Sequence, residues 1–111
     1  MNGKKLNIGL FGFGTVGSGL YDVLKRIGSK NVEIKRICVR DLSKKRSIEA
    51  EFTNNPDDIF NDPNINFIVE LIDDADAAYT IVKRALQMEL PVVKWFIRSS
   101  NKGILNNKAD V

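Results

Sequence analysis

Three glycines, Gly12, Gly14 and Gly17, stand in the spacing G-x-G-x-x-G inside "IGLFGFGTVGSGL". Each answers a different demand when a phosphate must approach a backbone. The first permits a tight exit from a strand, the second lets the main chain come up against a pyrophosphate, and the third lets a helix pack close to a sheet. The N–H groups from Phe13 through Thr15 to Val16 then belong to a helix N-terminus, where unsatisfied donors and the helix dipole favour an anion. In a chain with eight glycines the spacing alone also suits a packing turn. Further along, Arg40-Asp41 offers the two chemistries that read an adenosine ribose. A carboxylate accepts from the ribose hydroxyls, and a guanidinium pairs with a 2′-phosphate. Lys44, Lys45 and Arg46 follow, a basic run proportionate to one phosphate group. The bland readings are a solvated loop for the cations and a turn or capping role for Asp41.

What is missing narrows the chemistry further. There is no histidine, and Cys38 is the single cysteine, so Ser-His-Asp and Cys-His triads, intrachain disulfides and thiolate or imidazole zinc sites drop out, and no metal site is expected. A reducing, cytoplasmic setting fits that usage. The net charge is +3 with cations and carboxylates interleaved, too mild a balance for nucleic-acid binding. No run approaches the roughly 18 apolar residues of a membrane span. Lys4-Lys5 ahead of an apolar stretch has the look of a signal peptide, but Asn7 and the closely spaced glycines make a poor apolar helix.

The elements that must position these residues follow from periodicity. Residues 6–12 form a short apolar run ending at glycine, hence a buried strand. From Gly17 onward Leu20, Val23, Leu24 and Ile27 recur at helical spacing, with Gly28 as a stop. "NVEIKRICVR" reads as a second strand ending at Arg40-Asp41. Residues 41–55 read as a polar loop, followed by a short helix begun by Asn55 or Asp57. Residues 65–72, "INFIVELI", form another strand. Asp73, Asp74 and Asp76 then crowd the start of a helix whose apolar face is Ala78, Ile81, Val82, Ala85 and Leu86. "PVVKWFI" reads as a last strand and residues 98–111 as a polar tail. At 111 residues there is room for one core. Strand and helix in alternation imply an α/β fold, a Rossmann-like parallel sheet with helices on both faces in a single domain over 1–111. In that context the glycine motif reads as a dinucleotide loop, and Arg40 tilts the reading towards NADP over NAD.

At this point the chain resembles the NAD(P)-binding domain of homoserine dehydrogenases. The resemblance runs over residues 5 to 93 and rests on "IGLFGFGTVGSGL", on "IKRICVRDLSKKR" after a short spacer, and on "FIVELI" before an acidic pair and a helix. It implies an oxidoreductase interconverting L-aspartate 4-semialdehyde and L-homoserine with NADP(H) or NAD(H), in threonine and methionine biosynthesis. Phe13, Thr15 and Val16 would meet the cofactor phosphates and Arg40 the adenosine ribose or its phosphate. With Asp41, Lys45, Ile72 and Asp73, these and the three glycines make up the expected cofactor-binding set.

Two departures from the family pattern stand out. Asp73-Asp74 replaces a common Gly-Gly near the nicotinamide ribose, where the carboxylates also suit a helix cap. "KWFIR" separates "PVV" from "SSNK", so Asn101 and the expected catalytic Lys102 match the family's Asn-Lys only across an insertion, and about 94–111 read as a divergent tail. Trp95 and Phe96 suit strand packing better than a nicotinamide clamp. The family's substrate-binding acids and dimer surface belong to a later domain with no counterpart here, so the expectation is cofactor binding without efficient turnover, with self-association through uncovered apolar surface. The alternative is a stand-alone dinucleotide-sensing module. A related semialdehyde or dihydrodipicolinate-type reductase would need cysteine or histidine signatures that are missing.

Overall fold

A computed structural model describes residues 5–94. Strands β1 (Leu6–Phe11), β2 (Val32–Cys38), β3 (Phe52–Thr53), β4 (Phe67–Glu70) and β5 (Val92–Lys94) form one sheet in the order β3-β2-β1-β4-β5, with every adjacent pair parallel. Parallel neighbours need crossover connections. Helix α1 (Thr15–Ile27) joins β1 to β2, the short α2 (Asp57–Phe60) lies between β3 and β4, and α3 (Ala75–Gln87) joins β4 to β5. The strand order reverses between β1 and β4, and in open sheets of this kind a crevice opens there, beyond the carboxyl ends of the strands.

The period of two along each strand divides the core between the two faces. Ile8, Leu10, Ile37, Val39 and Val69 bury on one side, under Leu20, Tyr21 and Leu24 of α1. Phe11, Cys38 and Ile68 turn to the other, against Ile59 and Phe60 of α2 and Ile81 and Ala85 of α3. Helices therefore cover both faces, as the alternating pattern predicts. Leu10, Ile37 and Ile68 are fully buried, each contributing about 1.5–3 kcal/mol. Exposed ion pairs such as Lys5–Glu33 at 2.7 Å contribute about 0–1 kcal/mol, so apolar burial holds the sheet. Gly9 is a packing device within it. The β1–β2 register shifts between Ile8 and Gly9, and a side chain there would collide with Ile59 Cγ2, so the bare strand lets α2 settle onto it.

Several boundaries differ from the sequence expectation. Helix α1 begins at Thr15, before Gly17, and ends where predicted, with Gly28 at φ 66° donating its N–H to the Leu24 carbonyl at 3.1 Å. Its buried side carries Gly17, Leu20, Tyr21 and Leu24, while Val23 and Ile27 face outward at 49% and 65% exposure. On α3, Ala78, Ile81 and Ala85 are buried as expected, but Leu86 is exposed. The polar stretch 41–55 hides β3, whose pairing Ile37↔Phe52 and Cys38↔Thr53 is supported by main-chain bonds from Ile37 to Glu51 and from Val39 to Thr53. The short helix begins at Asp57, after Pro56 as its N-cap, and the Asn55 side chain ahead of it accepts the Asp57 N–H at 2.9 Å. The expected last strand is described through Lys94; Trp95, Phe96, Asn101 and Lys102 lie outside the described residues.

Candidate functional site

The glycine loop sits on the crest of the sheet at the β1–α1 junction. Gly12 adopts φ 98°, a left-handed conformation suited to glycine, and a Cβ on it would lie 3.2 Å from the Leu71 carbonyl. Its N–H donates to the Cys38 carbonyl at 2.9 Å, while the Leu71 N–H donates to the Phe11 carbonyl at 2.8 Å. The ends of β1, β2 and β4 are thus stapled together beneath the loop. A Cβ on Gly17 would come within 2.7 Å of the Gly12 carbonyl oxygen, so the third glycine lets the helix close against the loop. Gly14 differs from both. It is exposed, and a Cβ there meets nothing within 4 Å. Packing does not require a glycine at that position, whereas a ligand approaching the backbone does.

The N-terminus of α1 has the character of an anion site. Gly14 is its N-cap, no side chain caps it, and its first turn carries no acidic residue. The N–H groups of Thr15 and Val16 belong to the donors that a helix leaves without internal partners. By contrast, α3 supplies its own anion: the Asp74 carboxylate accepts from the N–H groups of Asp76 and Ala77 at 2.9 and 3.2 Å. Asp74 is therefore occupied as a cap, while Asp73 is exposed and Ile72 half-buried in the β4–α3 turn beside Gly12.

On the β2 side Arg40, Asp41 and Lys45 are all exposed. Asp41 Oδ1 accepts from both the N–H and the hydroxyl of Ser43, at 2.9 and 2.6 Å. Those bonds, with the nearby Arg46 and Lys44 charges, hold its carboxyl below the usual carboxylate range. Asp41 thus closes an Asx turn. Arg46 ties that turn to the sheet, donating to the Asp41 and Lys44 carbonyls at 3.1 and 2.9 Å and lying 5.0 Å from the centroid of the Phe52 ring. Phe52 in turn meets Phe13 edge-on at 5.5 Å, and Phe13 meets Tyr21 at 6.1 Å. The Phe13 ring is committed to the core, so its backbone is what it can offer a ligand.

Sequence reasoning did not single out Glu70, the last residue of β4. It is fully buried. Its Oε2 accepts the Ile72 N–H at 2.5 Å, and its Oε1 pairs with Lys94 Nζ at 2.9 Å. A glutamate closing an otherwise apolar strand is a visible signal, but its partners lie on a turn and on β5, which only the fold brings alongside. Among the described residues no cluster of three or more His, Cys, Asp or Glu side chains is placed to hold a metal, and no helix is long and apolar enough to cross a membrane. A cavity of about 830 Å³ lies between α1, β2 and residues 48–51, lined by Tyr21, Leu24, Val32, Ile34 and Ile48, and it contains no residue of the glycine loop. The cleft thus lies apart from the sheet crest, the place where open sheets of this kind bind dinucleotides.

Comparison with known proteins agrees with that geometry. The family model described as "Homoserine dehydrogenase, NAD binding domain" matches residues 12–109. The homoserine dehydrogenase of Helicobacter pylori is 31% identical over 109 residues, covering 92% of this chain and 25% of that protein. That of Bacillus subtilis is 30% identical over 100 residues, covering 81% and 23%. Among solved structures, the S. aureus homoserine dehydrogenase at pH 6.5 superposes with a TM-score of 0.73 at 34% identity, over 82% of this chain and 26% of that one. The Thiobacillus denitrificans homoserine dehydrogenase gives 0.72 at 35% identity, over 82% and 23%. The chain spans about a quarter of the length of the relatives it matches. The five-stranded parallel sheet, the glycine loop at its switch point and these matches together assign the chain to the family of homoserine dehydrogenase NAD-binding domains.

Proposed function

We propose that this domain holds NADP(H) or NAD(H) across the carboxyl ends of β2, β1 and β4, as the cofactor-binding part of an enzyme interconverting L-aspartate 4-semialdehyde and L-homoserine. The observation that carries the reading is Gly14: an exposed glycine with open space above it, at the uncapped start of α1. The N–H groups of Phe13, Thr15 and Val16 would bind the pyrophosphate, with Gly12 and Gly17 shaping the loop. Ile72 and Asp73 would face the nicotinamide half across the switch point. The exposed Arg40, with Lys45 nearby, favours a 2′-phosphate and hence NADP(H), while Asp41 would brace the turn that carries them.

When bound, the cofactor supplies the hydride chemistry; this chain's residues bind it, orient it and keep one face of it from water. The amino-acid substrate is a partner of the whole enzyme, which acts in the cytoplasm. A polypeptide limited to these 111 residues binds dinucleotide without efficient turnover, and Lys102 is retained as the candidate that reaches the reacting centre. Exposed apolar side chains on α1 and α3 favour self-association.

Calorimetric titration of NADPH and NADH into the chain and into Arg40→Ala tests the assignment. The expected result is tighter NADPH binding that the substitution abolishes; unchanged affinities for both cofactors would refute the role of Arg40. Homoserine-dependent NADPH formation by the isolated chain would contradict the absence of turnover.

A further inference from the structure

The Glu70 carboxylate is fully enclosed, yet it stands directly behind the turn between β4 and α3. One oxygen accepts the Ile72 N–H at 2.5 Å, which fixes the turn between β4 and α3. The other meets Lys94 Nζ at 2.9 Å, its register partner on β5. The fixed turn is the one that Gly12 touches: Leu71 and Ile72 main-chain atoms lie 3.2 to 3.5 Å from where a Gly12 Cβ would stand. Glu70 is also the register partner of Phe11, the residue before Gly12. Lys94, Glu70, Ile72 and Gly12 therefore form one contiguous mechanical unit from the sheet edge to the glycine loop. A buried carboxylate removed from water is costly, and an apolar residue would serve the core equally well if packing were the only need.

We infer that Glu70 is a positioning residue for the cofactor, with Lys94 as its counter-ion: it holds the Leu71–Asp73 backbone in the one geometry that receives the nicotinamide half. This rests on the cofactor reading above. Because β4 and β5 lie beyond the switch point from β2, the turn serves the nicotinamide half, while Arg40 and the loop 41–46 serve the adenosine half. Glu70 itself touches no ligand and acts through the Ile72 N–H.

The test compares each dinucleotide with its own fragment lacking nicotinamide riboside: NADH with ADP, and NADPH with 2′-phospho-ADP. Glu70→Gln keeps the shape but leaves one carbonyl oxygen for two donors. Dinucleotide Kd should rise about ten-fold, as expected for a lost charge-assisted bond in the supporting layer, while fragment Kd changes less than about two-fold. Lys94→Gln, a change at a partly exposed side chain that keeps a donor without its charge, carries the test if the first variant fails to fold. It should give the same selectivity at about three-fold. Parallel loss of dinucleotide and fragment, or no loss in a folded variant, would overturn the positioning role alone. An unsubstituted chain that binds neither dinucleotide would overturn the cofactor reading and this inference with it.

Discussion

Single side chains separate the two kinds of glycine in the loop. At Gly17 an added Cβ would stand 2.7 Å from the Gly12 carbonyl oxygen, so Gly17→Ala must shift the loop or the helix. We expect a loss of about 1–3 kcal/mol in urea unfolding, the usual cost of overpacking, together with weakened dinucleotide binding. Cys38 makes a second prediction. Burial, with a smaller contribution from the Asp58 charge, pushes its thiol up to about 11 from 9.0. The unfolded chain therefore sheds this proton first as pH rises, and the stability held by the protonated thiol below pH 9.0 is lost as pH climbs towards 11. Urea midpoints should fall over that window, and less steeply in Cys38→Ala. The triple-glycine turn and the turn role of Asp41 were legible at this scale because both are local. Glu70 was not, since its counter-ion lies 24 residues away on a neighbouring strand.

Among the elements, the two long helices begin by different means, and the proposed pyrophosphate site turns on the difference. Helix α3 is capped by Asp74, so Asp74→Ala should cost about 1 kcal/mol of stability, read as a lower melting temperature, with dinucleotide affinity nearly unchanged. Helix α1 has no such cap to lose. On β1, Gly9→Ala would press on Ile59, and a destabilisation of about 1–3 kcal/mol in urea is expected. Periodicity located β1, α1, β2, β4 and α3 because each presents an apolar face of the right period to a single core. It missed β3, where the apolar residues of a polar run are too sparse to show a period and the strand exists through pairing with β2. It also placed Val23, Ile27 and Leu86 on buried faces, since spacing gives the direction of a helix stripe but not how far the sheet beneath it extends.

For the molecule as a whole, the sheet order sets the two proposed half-sites on either side of β1. The loop 41–46 lies on the β2 side and the Glu70-braced turn on the β4 side, with the glycine loop between them. Its outer surface carries Val23 and Ile27 one turn apart on α1, and Tyr79 and Leu86 two turns apart on α3, all exposed. Sedimentation velocity over a concentration series should report self-association that Ile27→Lys with Leu86→Lys reduces; a monomer at all concentrations would remove that expectation. The central claim, that the glycine loop is shaped for a pyrophosphate and not merely for a turn, is tested most directly at Gly14, where the fold leaves room for a side chain. Calorimetric titration of NADH and NADPH into Gly14→Ala, beside a melting curve, is the decisive measurement. The account predicts stability within about 1 kcal/mol of the parent and dinucleotide affinity weakened by at least about ten-fold. A variant equally stable that binds both dinucleotides as the parent does would contradict it.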